Sequence, residues 1–248
     1  MRSRPVRCVR GGAGVFTPAF AAACLLEAVV FGSLVARPLF WAFHFELSFA
    51  ANLALIALAG PFAVASLRPG AGLFDPDGLG RAWIRAGVLA AIPLLAALFS
   101  QVLAGSCNTA GGLAWYGLLP GIGSLLVVSL AAVCSVAAAR RRGAFLLYGL
   151  AVLAFLASFG WHLYFGIPYR LFNLLLGYWP GVLYDEYVPI EAPLLFARLE
   201  ALLLAAALSC WALGAIRSKP RLLALGLTAA CLFALSWHLE DGRAGDTD

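Results

Sequence analysis

The sequence predicts an all-α fold: a polytopic transmembrane bundle of seven spans, N-terminus inside and C-terminus outside, with an interfacial cap on its outer face. Three observations carry this. Of 248 residues, 63% are hydrophobic and 12% charged, about half the charge of a soluble globular domain. The mean hydropathy is +0.92. Seven apolar stretches approach or exceed the ~20 residues needed to cross a bilayer as a helix. The 17 basic and 12 acidic residues are too few for a solvated shell, which excludes a soluble enzyme and a disordered chain. The net charge of +5 does not indicate a nucleic-acid partner, because the basic residues lie between apolar runs rather than on one soluble face.

In chain order, residues 1–14 form a basic arm carrying Arg2, Arg4, Arg7 and Arg10. Span one covers about 15–36; it is too long for a signal h-region, and Ala36-Arg37-Pro38 is a poor cleavage site, so it is read as retained. Spans two and three cover 47–67 and 86–106, with a turn expected at Asp75-Pro76-Asp77-Gly78. Spans four and five cover 119–139 and 144–166; Gly117, Pro120, Gly121 and Gly123 open span four and suit close helix packing. Spans six and seven cover 194–216 and 222–238, and the acidic tail 239–248 is expected to be disordered. Segments 105–118 and 167–193 are the long outer connections, and the odd span count argues against an inverted repeat.

Basic residues set the orientation. Arg2, Arg4, Arg7, Arg10, Arg68, Arg81, Arg85, Arg140, Arg141, Arg142, Arg217, Lys219 and Arg221 fall inside, 13 of the 17. Arg37, Arg170, Arg198 and Arg243 fall outside, as do most of the acids.

The segment 167–193 is too long for a turn and too apolar for a solvated loop. Residues 168–176 suit a short interfacial helix, whereas Gly177, Pro180, Gly181 and Pro189 interrupt any helix beyond it. Tyr178, Trp179, Pro180, Gly181, Tyr184, Asp185 and Glu186 form the candidate partner-binding cap, with the rings at headgroup depth. The other reading is an aromatic belt with an ordered loop. Asp185 and Glu186 are adjacent and do not share a face, so an ion pair with Arg170 or Arg198 suits them better than paired acid–base work.

His44, His162 and His238 all fall at the outer side on three different spans. Three imidazoles at one depth suit a metal site such as zinc with an open position for water; interfacial partitioning beside Trp41, Trp161 and Trp237 is the simpler account. Glu27 is the one carboxylate deep in a span, and with Asn52 and Gln101 it outlines an intramembrane polar pocket. Bundle-stabilising hydrogen bonds and a proton or solute site are the two accounts. Cys24, Cys134, Cys210 and Cys231 lie within spans and act as small hydrophobes, so no disulfide framework is expected. HExxH, GxSxG and CxxC are absent from the sequence.

Two blocks, Ser106-Cys107-Asn108 with Gly112-Leu-Ala-Trp-Tyr-Gly-Leu-Leu-Pro120, and Gly177-Tyr-Trp-Pro-Gly-Val-Leu-Tyr-Asp-Glu186, carry a resemblance. Over residues 100–200 the chain resembles an uncharacterised multi-span region of large bacterial membrane proteins, where it precedes an extracytoplasmic peptidase-like domain. The resemblance implies a bacterial cytoplasmic-membrane location, an ordered outer cap and an outer face that meets an extracytoplasmic domain. It carries over no catalytic residue.

Three functions follow. The first is a non-enzymatic membrane subunit or anchor, embedded in the lipid bilayer without a cofactor, whose cap docks an extracytoplasmic or membrane protein partner. The second is a metal-dependent hydrolase at the outer leaflet, zinc being the alternative cofactor, using the three histidines, with Asp185 or Glu186 as base. The third is a small-solute or proton-coupled transporter working through Glu27.

Overall fold

A computed structural model describes residues 14–37, 43–67, 76–104, 109–138, 140–165, 171–179 and 190–217. The elements are α1 (Pro18–Leu34), α2 (Phe45–Ser66), α3 (Pro76–Ala104), α4 (Thr109–Tyr116), a π-helical segment (Gly117–Gly121), α5 (Ile122–Ala137), α6 (Arg141–Phe165), strands β1 (Leu171–Asn173) and β2 (Gly177–Trp179), and α7 (Ala192–Arg217). Among the described residues five helices are long and apolar enough to cross a membrane: Phe45–Ser66, Asp77–Leu103, Thr109–Ala137, Arg141–Trp161 and Ala192–Ala212; Pro18–Leu34 is a shorter apolar helix. Span seven (222–238), with the basic arm before Gly14 and the tail 239–248, lies outside the described residues.

Helices α2 and α5 form the centre. α2 packs on α3 and α5, α5 packs on α7 and α6, and α1 lies on α3. The central position shows in burial: 61% of the Thr109–Ala137 window and 56% of the α2 window are covered by protein, against 11% for α6. The outward faces carry Leu146, Leu150, Leu153 and Leu95, all exposed, as suits helices solvated by acyl chains.

Three boundaries differ from the sequence reading. Of the expected turn at 75–78, residues 76–78 are instead the first turn of α3, which begins at Pro76 with Asp77 in its first turn. Proline costs no hydrogen bond at a helix N-terminus, and an acid there complements the dipole. The expected outer connection 105–118 is helical from Thr109, so Gly117 to Gly121 lie inside a continuous helix. Pro120 has no N–H to offer the Tyr116 carbonyl four residues back; the ladder locally lengthens, and the Ile122 N–H reaches the Gly117 carbonyl. In place of the expected interfacial helix at 168–176, residues 171–179 form an antiparallel hairpin, with Leu171 opposite Trp179 and Asn173 opposite Gly177. Gly177 takes φ +103°, which an L side chain resists, and so closes the hairpin instead of continuing a helix.

Prolines also interrupt α2 at Pro61 and α3 at Pro93. Each leaves a carbonyl four residues earlier without its helical donor. A buried tyrosine serves the neighbouring carbonyl in each case: the Tyr148 hydroxyl donates to Ile56 O at 2.8 Å, and the Tyr116 hydroxyl donates to Ala90 O.

Candidate functional site

The hairpin turns back into the bundle. Leu175 is fully buried and Leu176 nearly so, in the same core as Tyr148, Leu126 and Leu55. Non-helical backbone within a membrane protein must find its hydrogen bonds in the protein, and three side chains supply them. The Asn173 Oδ1 accepts from the backbone N–H of Leu175 at 3.0 Å and of Leu176 at 2.9 Å, an Asx-type turn. Asn52 Nδ2, from α2, donates to the carbonyls of Leu175 and Leu176, each at 2.9 Å. Arg198 Nη2, from α7, donates to the Asn173 carbonyl at 2.6 Å. Asn173 Nδ2 completes the lock by donating to Phe155 O of α6 at 3.1 Å. Gly123 of α5 lets Asn52 lie flat: a Cβ there would come within 1.9 Å of Asn52 Oδ1.

Arg198 was expected at the outer interface, facing Asp185 or Glu186. It is 1% exposed instead, because its guanidinium is drawn onto the hairpin carbonyl. Among the described residues its Nε and Nη1 have no hydrogen-bond partner, and neither does Asn52 Oδ1. Arg170, Asp185 and Glu186 lie outside the described residues, as do Pro180, Gly181 and Tyr184 of the cap. Tyr178 and Trp179 form the β2 strand.

All three members of the polar trio are buried. Asn52 is committed to the hairpin. Glu27 is 2% exposed, and neither of its oxygens accepts a hydrogen bond among the described residues; Cys24 and Tyr116 are within its electrostatic reach. Gln101 is buried on α3. His44 is the N-cap residue of α2, where its carbonyl accepts from Ser48. His162 lies near the end of α6, and His238 falls outside the described residues. Among the described residues no three His, Cys, Asp or Glu side chains gather as metal ligands.

The sequence reading missed Asn173 and the burial of Arg198. A local signal existed: Asn173 and Gly177 bracket three leucines, and an Asn…Gly pair around a short loop is a hairpin signature. The apolar loop concealed it, since turns are usually read from polar residues. Comparison with known proteins gave no match: no family model fits the chain, and neither a curated protein nor a solved structure matches it.

Proposed function

We propose that this chain is a seven-span protein of the bacterial cytoplasmic membrane, N-terminus inside and C-terminus outside, that acts as a subunit or anchor and docks a partner protein or domain on its extracytoplasmic cap. The hairpin lock is the observation that supports this most. Asn52, Arg198 and Phe155 fix the turn from three helices, so β2, the strand that leads into the cap sequence, is anchored to the bundle. An anchored strand beside a docking sequence lowers the ordering cost of binding. The grouping of Arg81, Arg85 and Arg140–Arg142 at the other end of the helices agrees with the orientation.

A photo-cross-linking residue at Tyr184, in native membranes, tests the docking. A discrete adduct from position 184 and none from the lipid-facing position Leu150 is expected. A monodisperse monomer in mild detergent with no adduct would overturn it. A reporter fused after residue 239 checks the topology, with extracytoplasmic activity expected.

A second reading rests on Glu27, whose buried carboxylate accepts no hydrogen bond among the described residues. Proton-coupled solute movement uses such a group. Under this reading Glu27→Gln abolishes proton-coupled uptake in vesicles at normal expression; unchanged uptake removes it.

A further inference from the structure

At the end of the bundle opposite the hairpin, the start of α1, the end of α2 and the starts of α3 and α6 surround a cavity of about 370 Å³. Its polar lining is Thr17, Ser66, Arg81, Arg85 and Arg141, and among the described residues no lining residue is acidic. We propose that this cavity binds a phosphate-bearing anion, a phosphomonoester or phosphodiester.

The guanidinium of Arg85 is fixed. It is 5% exposed, with Nε donating to Val15 O at 2.8 Å, Nη2 to Gly14 O at 3.3 Å and Nη1 to Ser66 Oγ at 2.8 Å. The Phe20 ring lies 5.4 Å below it. These bonds use three of the five N–H donors an arginine carries. Arg81 sits one turn earlier on the same face of α3, and Arg141 is held from α6 by the Ala65 carbonyl. Arg81 and Arg141 both bear electrostatically on Arg85. Arg85 and Arg141 alone gather two like charges on one cavity, which an entering anion offsets. Asp77, four residues before Arg81, answers at most one of the three charges, and α6 carries no acidic residue.

Two helix N-termini add to the field. Thr17 caps α1, accepting from the Phe20 N–H at 3.2 Å, and α6 starts at Arg141. Both aim the positive ends of their dipoles at the cavity rim. Guanidinium forks on two helices suit a tetrahedral oxyanion with several acceptors; a lone carboxylate would occupy one fork. The volume holds about a dozen waters at ~30 Å³ each, enough for a phosphate with its glycerol. Basic pockets between membrane helices take anionic lipid headgroups in this way, and a soluble phosphate ester offers the same chemistry.

The test measures the unfolding midpoint of the full chain in neutral detergent. One arm adds phosphatidylglycerol against phosphatidylcholine. The other adds glycerol 3-phosphate or inorganic phosphate against chloride at matched ionic strength. A saturable rise in either arm is expected: in the lipid arm alone it identifies a headgroup, and in the soluble arm a free phosphate. The rise should vanish or shift to about tenfold weaker apparent affinity in Arg81→Gln/Arg141→Gln. It should persist in Arg140→Gln/Arg142→Gln, which removes the same charge from two exposed residues outside the cavity lining. If the first pair does not fold, Arg81→Lys/Arg141→Lys keeps the charge but loses the forks, and the same weakening is expected. No rise in either arm, or equal loss in both Gln pairs, overturns the proposal.

Discussion

The guanidinium of Arg198 donates to the backbone carbonyl of Asn173 at 2.6 Å. That bond joins α7 to the hairpin across 25 residues of chain and places an arginine where the sequence reading expected a surface ion pair. A charge-assisted hydrogen bond of this kind contributes about 1.5–3 kcal/mol. Replacing Arg198 with Met also removes the desolvation cost of a buried cation, so the hairpin reads the loss better than the global midpoint does. Arg198→Met should raise hydrogen exchange at the Leu175 and Leu176 amides more than tenfold, ~1.4 kcal/mol of local stability. Unchanged exchange at both would contradict the lock.

Asn52 provides the second restraint. Asn52→Ala leaves the carbonyls of Leu175 and Leu176 without the donor they share. Stranding buried acceptors costs about 1–3 kcal/mol. A lower unfolding midpoint in detergent is expected, and a midpoint equal to that of the unmodified protein would refute it.

Gly123 and Asn52 are coupled by contact. An alanine Cβ at 123 would lie 1.9 Å from Asn52 Oδ1 and must displace that side chain. Gly123→Ala should therefore destabilise about as much as Asn52→Ala. The double variant Asn52→Ala/Gly123→Ala should fall well short of the sum, since one loss is counted twice. Full additivity of the midpoint shifts would count against the contact.

Gly177 closes the hairpin at φ +103°, and a Cβ there would sit 2.5 Å from Leu119 Cδ2. Gly177→Ala meets both the dihedral strain, about 1–3 kcal/mol, and the contact. Adding Leu119→Ala removes the contact and leaves the strain. Protease cleavage near the cap should increase in Gly177→Ala and stay increased in the double variant; complete restoration would show that the dihedral costs nothing.

Tyr148 lies flat on Gly60, its hydroxyl oxygen 1.9 Å from where a Cβ would stand. Gly60→Ala must eject the ring and with it the bond to Ile56 O. Tyr148→Phe loses only the bond. A loss of about 1 kcal/mol is expected for Tyr148→Phe and a clearly larger one for Gly60→Ala, compared by thermal midpoints. Equal losses would mean that the ring does not pack there.

Most of the helices were legible in the sequence, because helix formation in a membrane is a local matter. Each apolar stretch of sufficient length satisfies its own backbone and buries itself in acyl chains without reference to the rest of the chain. Five of the expected spans correspond to the five long apolar helices, and the shorter α1 falls within the first. The errors at their ends share a cause. Pro76 was placed in a turn and Gly117 and Pro120 at the opening of span four, yet proline is accepted at a first turn and within a π segment.

What only the tertiary structure decided is where the polar groups go. Asn52 meets Leu175 across 123 positions, and Arg85 meets Val15 across 70. The sequence established that Asn52, Arg85 and Arg198 lie in or beside apolar helices and so must find partners. Apart from the Ser66 hydroxyl the partners are backbone carbonyls, which no residue letter distinguishes; only the packing of α2, α3 and α7 against the hairpin and the start of α1 brings them within hydrogen-bond reach.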